Sequence, residues 1–114
     1  MTDKELLEAA AKAAGIEGEH RTENLCVGGD WVDVTAIFFA DGMGWWSPLE
    51  DDGDALRLAV KLNLNLRFGA QWVLVHNSDV EASQRLSEDP CAATRRAVVR
   101  AAAELAAARA VGAA

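Results

Sequence analysis

The stretch Leu25-Cys26-Val27-Gly28-Gly29-Asp30-Trp31-Val32-Asp33-Val34-Thr35-Ala36-Ile37-Phe38-Phe39-Ala40 decides the fold. Gly28-Gly29-Asp30 is a turn signal between two apolar runs. β-Branched and aromatic residues dominate the second run, so the segment reads as a β-hairpin. Successive side chains of a strand point to opposite faces. Val32, Val34, Ala36 and Phe38 therefore share one face. Trp31, Asp33, Thr35, Ile37 and Phe39 share the other, which is mixed, and the first is the expected core face.

Downstream, Asp41-Gly42-Met43-Gly44 makes a second turn, and Gly44-Trp45-Trp46 a short third strand closed by Pro48. Ser47-Pro48-Leu49-Glu50 and Asp51-Asp52-Gly53-Asp54 then place caps and acids before an apolar run, which predicts a helix over about 52–63. Ala55, Leu56, Ala59, Val60 and Leu62 cover much of its circumference, leaving Arg57 and Lys61 as the wet stripe. This helix is expected to be substantially buried. Residues 63–68 and 71–76 alternate around Gly69-Ala70 and predict a second hairpin, and the polar stretch 77–88 reads as a loop with room for a short helical turn. Asp89-Pro90 opens a final helix to about Val111. Its expected buried stripe is Val98, Ala101, Ala102, Leu105 and Ala108, with Arg96, Arg100 and Glu104 opposite and Arg100 placed to pair with Glu104.

Upstream, Thr2-Asp3-Lys4-Glu5 is a capping box and Gly15 a left-handed stop, so a helix runs from there to about Ala14. Residues 16–24 are polar, a loop or the ragged start of a strand. The expected fold is one α+β domain over residues 1–114, two-layered, in the order helix, three strands, helix, two strands, helix, with a mainly antiparallel sheet packed by helices.

A chain of 114 residues buries one core, and 51% hydrophobic with 25% charged residues is a globular composition rather than a disordered one. The longest apolar runs fall far short of the roughly 20 residues of a membrane span. The opening Met1-Thr2-Asp3-Lys4-Glu5 carries acids where a signal peptide would carry positive charge, so the expected location is the cytoplasm. Net charge is −7 and uneven: residues 1–54 hold 13 acids and 3 bases, residues 55–114 hold 5 acids and 8 bases. The acidic half disfavours nucleic-acid backbones and would steer a basic partner surface. Arg95, Arg96, Arg100 and Arg109 form a basic stripe on the last helix, but the net charge weighs against its meeting phosphates.

No catalytic, cofactor or metal site is expected. Asp51, Asp52 and Asp54 with Asp41 lack the ligand spacing of an EF-hand and read better as helix caps. His20 and His76 form no zinc motif, and two cysteines, Cys26 and Cys91, build neither a disulfide framework nor a Cys-rich zinc site. The glycine pairs lack the Lys-Ser/Thr ending of a phosphate loop. Both cysteines read as structural, with Cys91 the more reactive by its place at a helix N-terminus. Trp45 and Trp46 are adjacent in a strand, so both rings cannot share one core. An exposed Trp with Asp41, Asp51 and Asp52 around it would make an aromatic anchor in an acidic rim, the composition of a protein-binding hot spot. The bland alternative is that helix packing covers both faces.

Trp46-Ser47-Pro48-Leu49 with residues 51–62, and the run Ala92–Ala103, resemble a family of small phage and prophage accessory proteins. With the opening Asp3–Ile16, the resemblance covers all three expected helices, roughly two fifths of the chain. The family mostly has Asn at the position of Ser47 and Thr at that of Glu50, both still caps. It carries no established activity, so no functional residues transfer. The resemblance implies phage origin, a bacterial host cytoplasm, and binding that inhibits or redirects a host protein, as an anti-CRISPR-type inhibitor does. A sharper version has the acidic surface mimic DNA, which requires the acids to cluster on one face. Two other readings stand beside it: a small-ligand-binding protein or enzyme with a pocket near His76, Trp72 and Cys26, and a homodimer formed through sheet edges.

Overall fold

Thr2 starts the first helix through two reciprocal bonds. Its amide donates to Glu5 Oε1 and its Oγ1 accepts from the Glu5 amide, each at 3.1 Å. A computed structural model describes residues 1–112, and in it this helix, α1, spans Asp3–Ala14. Gly15 ends it at φ 70°, where the Ile16 amide reaches back to the Ala11 carbonyl at 2.9 Å. The next elements are β1 (Gly18–Val27), β2 (Asp30–Phe39), β3 (Trp45–Trp46), α2 (Asp52–Lys61), β4 (Asn65–Phe68), β5 (Trp72–His76), β6 (Glu81–Arg85) and α3 (Pro90–Gly112). The result is a two-layer α+β domain with antiparallel strands, in the expected element order apart from an added strand.

That strand is β6. Residues 81–85 were expected to be loop because Glu81-Ala82-Ser83-Gln84-Arg85 carries one apolar side chain. Pairing with β5 overrides the weak local preference, and Ala82 is buried opposite Val75. The strands divide into two three-stranded meanders, β1-β2-β3 and β4-β5-β6. β1 is also longer than expected. It begins at Gly18, because the two-residue turn Gly28-Gly29, both at positive φ, sets a register that runs unbroken from Val27↔Asp30 to Gly18↔Phe39.

The core lies between α1, α3 and the second meander. α3 is buried almost all round at mid-length, through Ala97, Val98, Val99, Ala101, Ala102, Ala103, Leu105 and Ala106. Its alanines let α1, with Ala10, Ala11 and Ala14, approach on one side, while Val73 and Val75 of β5 pack on another. Burying a Val or Leu fully contributes about 1.5–3 kcal/mol, so this central helix holds much of the fold together. Ala108 lies beyond the packed section and is exposed, against expectation.

Three further expectations fail for reasons of packing. The face of β2 that meets the main core is the mixed one: Ile37, 1% exposed, pairs with Trp46 there, whereas Val32 on the other face is 41% exposed. Ala36 and Phe38, on that other face, are buried without joining the main core cluster. α2 is half buried rather than mostly buried, since only Ala55, Leu58 and Ala59 face inward while Leu56 and Val60 lie one turn apart in solvent. Arg100 does not pair with Glu104. It donates to the Ser83 carbonyl at 2.8 Å and to Gln84 Oε1 at 2.9 Å.

Candidate functional site

Opposite-face alternation divides the adjacent tryptophans. Trp46 is 5% exposed and belongs to the core; Trp45 is 40% exposed and packs on Phe38, its register partner, with ring centroids 6.1 Å apart. The Arg21 guanidinium caps the same Phe38 ring at 4.6 Å. Trp45 is therefore held by a tilted contact with Phe38 and keeps 40% of its surface exposed, the posture of an anchor rather than a core residue.

Beside Trp45 lies a cleft of about 620 Å³ whose walls include Asp33, Thr35, Ser47, Glu50, Asp51 and Asp54. It exists because β3 is only two residues long. Pro48 turns the chain away after Trp46, and the start of α2 closes the far side. Asp51 caps α2 by accepting from the Asp54 amide at 2.8 Å. Asp54 accepts from the Ser47 amide at 2.9 Å and from Arg57 at 2.7 Å. Glu50 makes no ion pair among the described residues. The Ser47 hydroxyl is buried and finds no hydrogen-bond partner among the described residues, an orphan of the kind that ligands or water complete.

Of the expected acidic rim, only Asp51 lines this cleft. Asp41 sits in the β2–β3 turn, where its carboxylate accepts from the Met43 amide at 2.8 Å. Asp52 faces the other side of α2 and accepts from Arg95 at 2.6 Å. Asp33 and Glu50 were missed because only the β2 register and the course of the 47–51 turn bring them beside Trp45. Asp54 was read as a cap, but Asp51 is the cap of α2, and Asp54 instead accepts from the Ser47 amide of the preceding turn.

The arginines of α3 are all engaged. Arg95 also donates to the Leu49 carbonyl at 2.9 Å, Arg96 to Asp3 at 3.0 Å, and Arg109 to the Ala13 carbonyl at 3.0 Å. The Asp52 hydrogen bond raises the pKa of Arg95 above its usual value. These side chains bind the helix to its neighbours. Six of the 13 acids of residues 1–54 are likewise ion-paired with arginines, which thins the continuous acidic surface that DNA mimicry needs.

His76, Trp72 and Cys26 line none of the cavities beside Trp45 or against α3. Trp72 and His76 lie on β5, and Cys26 near the tip of the hairpin in the other meander. An apolar cavity of about 330 Å³ opens elsewhere, between α2, β4 and the first turns of α3, with Leu56, Phe68, Val98 and Cys91 among its walls. Among the described residues no group of His, Cys, Asp and Glu is arranged to hold a metal ion, and no helix is long and apolar enough to cross a membrane.

Fold and site together describe a small α+β domain whose most distinctive surface is a tryptophan in an acidic cleft. Comparison with protein-family models, with curated proteins and with solved structures finds no match in any of the three.

Proposed function

We propose that this domain is a non-catalytic protein-binding module that takes a basic surface of a partner protein into the cleft beside Trp45. One observation carries the reading: of two adjacent tryptophans, one is buried, and the other stands half exposed on the wall of a cleft lined by Asp33, Glu50, Asp51 and Asp54. Aromatic anchors in partly enclosed pockets dominate binding energetics, and the acids supply steering and register. The resemblance to phage accessory proteins makes a host protein the natural partner, with inhibition or redirection as the outcome.

The test is capture from bacterial lysate on immobilised wild type, Trp45→Ala and Glu50→Lys, each shown folded by circular dichroism. A protein retained by wild type and lost by both variants supports the module. Equal retention by all three excludes the cleft.

A second reading rests on the apolar cavity. Its polar groups are largely committed: Thr94 Oγ1 donates to the Pro90 carbonyl and Arg95 to Asp52 and Leu49. Such a lining suits a neutral apolar small molecule. Cys91 borders the cavity and Cys26 is an exposed reference thiol, so an apolar ligand should slow maleimide labelling of Cys91 and leave Cys26 unchanged.

A further inference from the structure

The cleft beside Trp45 runs along an unfinished sheet edge. β2 has ten residues, yet β3 pairs only with Ile37 and Phe38. The two-residue turn makes Val27↔Asp30 a hydrogen-bonded pair, and antiparallel pairs alternate, so the main-chain groups of residues 30, 32, 34, 36 and 38 point at β1. Those of Trp31, Asp33, Thr35, Ile37 and Phe39 point the other way. The Phe39 amide donating to the Gly44 carbonyl, away from β1, agrees with that assignment. Ile37 is met by β3. Among the described residues, Trp31, Asp33 and Thr35 are left with three N–H and three C=O groups and no strand opposite them.

Resting on the proposed binding role, we infer that the partner enters as an extended basic segment that adds a strand to β2, along the line β3 abandons at Ser47-Pro48. Such strand addition draws affinity from main-chain bonds and specificity from alternate side chains. The outer edge of β1 is also open, but none of the acidic cleft lies along it. On the β2 side, Asp33 and Thr35 line the same cleft as Glu50, Asp51, Asp54 and Trp45, together with Ser47, whose buried hydroxyl has no hydrogen-bond partner among the described residues. Lysine or arginine side chains at alternate positions of the guest would meet Asp33 and Glu50, which make no ion pair among the described residues, whereas Asp51 and Asp54 are already held by Arg57. A second copy of this chain is a poor guest, because pairing two β2 edges would bring Asp33 and Glu50 of each copy together.

The probe is a short synthetic peptide alternating lysine with valine, compared with a copy N-methylated at alternate amides. Binding is followed by Trp45 fluorescence, with Trp45→Phe separating its signal from the other tryptophans. Main-chain engagement is followed by amide hydrogen exchange. The expected result is that exchange at Trp31, Asp33 and Thr35 slows by about tenfold or more while Val32 and Val34, already bonded to β1, are unchanged. N-methylation should weaken binding by about tenfold, the loss of one or two hydrogen bonds. Binding that leaves those three amides unprotected, or that N-methylation does not weaken, overturns strand addition while leaving the Trp45 cleft as a binding site. Failure of the lysine peptide to bind at low salt overturns the basic-strand inference, and lysate capture judges the broader reading separately.

Discussion

Trp45 and Phe38 are register partners on one face of the first meander, and Trp46 and Ile37 are register partners on the other. One backbone step thus separates a ring that holds the fold together from one free to meet a partner. Trp46→Ala should cost about 3–5 kcal/mol, as expected for a large buried aromatic. Trp45→Ala removes mainly a tilted contact with Phe38 and should cost about 1 kcal/mol. Urea denaturation of the two variants measures the difference. Near-equal losses would mean that Trp45 is structural.

Arg95 ties α3 to the start of α2 through Asp52 and the Leu49 carbonyl. Its side chain is mostly buried while that of Asp52 is mostly exposed. Arg95→Ala should therefore cost about 1–3 kcal/mol, since it leaves the Leu49 carbonyl without its donor. Asp52→Asn should cost under about 1 kcal/mol. A double-mutant cycle by thermal unfolding checks the asymmetry.

The capping box gives α1 a signed dependence on pH. The Thr2 amide, and after it the Thr2 hydroxyl, hold the Glu5 carboxyl below its ordinary value of 4.5. A depressed carboxylate contributes stability that is present above its unfolded pKa and lost as pH falls through the folded one. Acidification from neutral to below that range should loosen the first turn of α1, and Glu5→Gln should remove this dependence. Carbon-detected NMR titration of Glu5 measures it directly. Thr2→Ala should cost about 1 kcal/mol.

Gly18 allows β1 to lie against β2 at the base of the hairpin. A Cβ there would meet the Phe38 carbonyl oxygen and come within 2.8 Å of Ile37 Cγ2. Gly18→Ala should destabilise the domain by about 1–3 kcal/mol, an overpacking penalty. Denaturant unfolding measures the loss, and amide exchange should locate it at the hairpin base.

What the sequence made legible follows from how local each signal is. Thr2, Gly15, Gly28-Gly29 and Asp89-Pro90 act within a few residues, so they placed helix ends and the hairpin turn closely. β6 depends on β5, a non-local partner, and its own residues argue for a loop. The inward face of β2 was misread because the alternating valines lie mainly in the distal part of the hairpin, while Ile37, nearer its base, meets the core. Alternation required Trp45 and Trp46 to part, but which one faces outward depends on where α1 and α2 pack. The cleft was legible only as an acidic neighbourhood of tryptophan, because Asp33 and Glu50 arrive there by register.

The hairpin's outer half has a different kind of freedom. From Cys26 through Val32 the strands and turn are exposed, and no buried side chain of the core comes from them. Selection on packing therefore has little hold on this segment, provided the Gly28-Gly29 turn and the strand register survive. Trp31, Asp33 and Thr35 are exposed as well, so the edge that would recognise a partner can change its side chains without the core being rebuilt, and a domain of this plan could follow a partner that is itself changing.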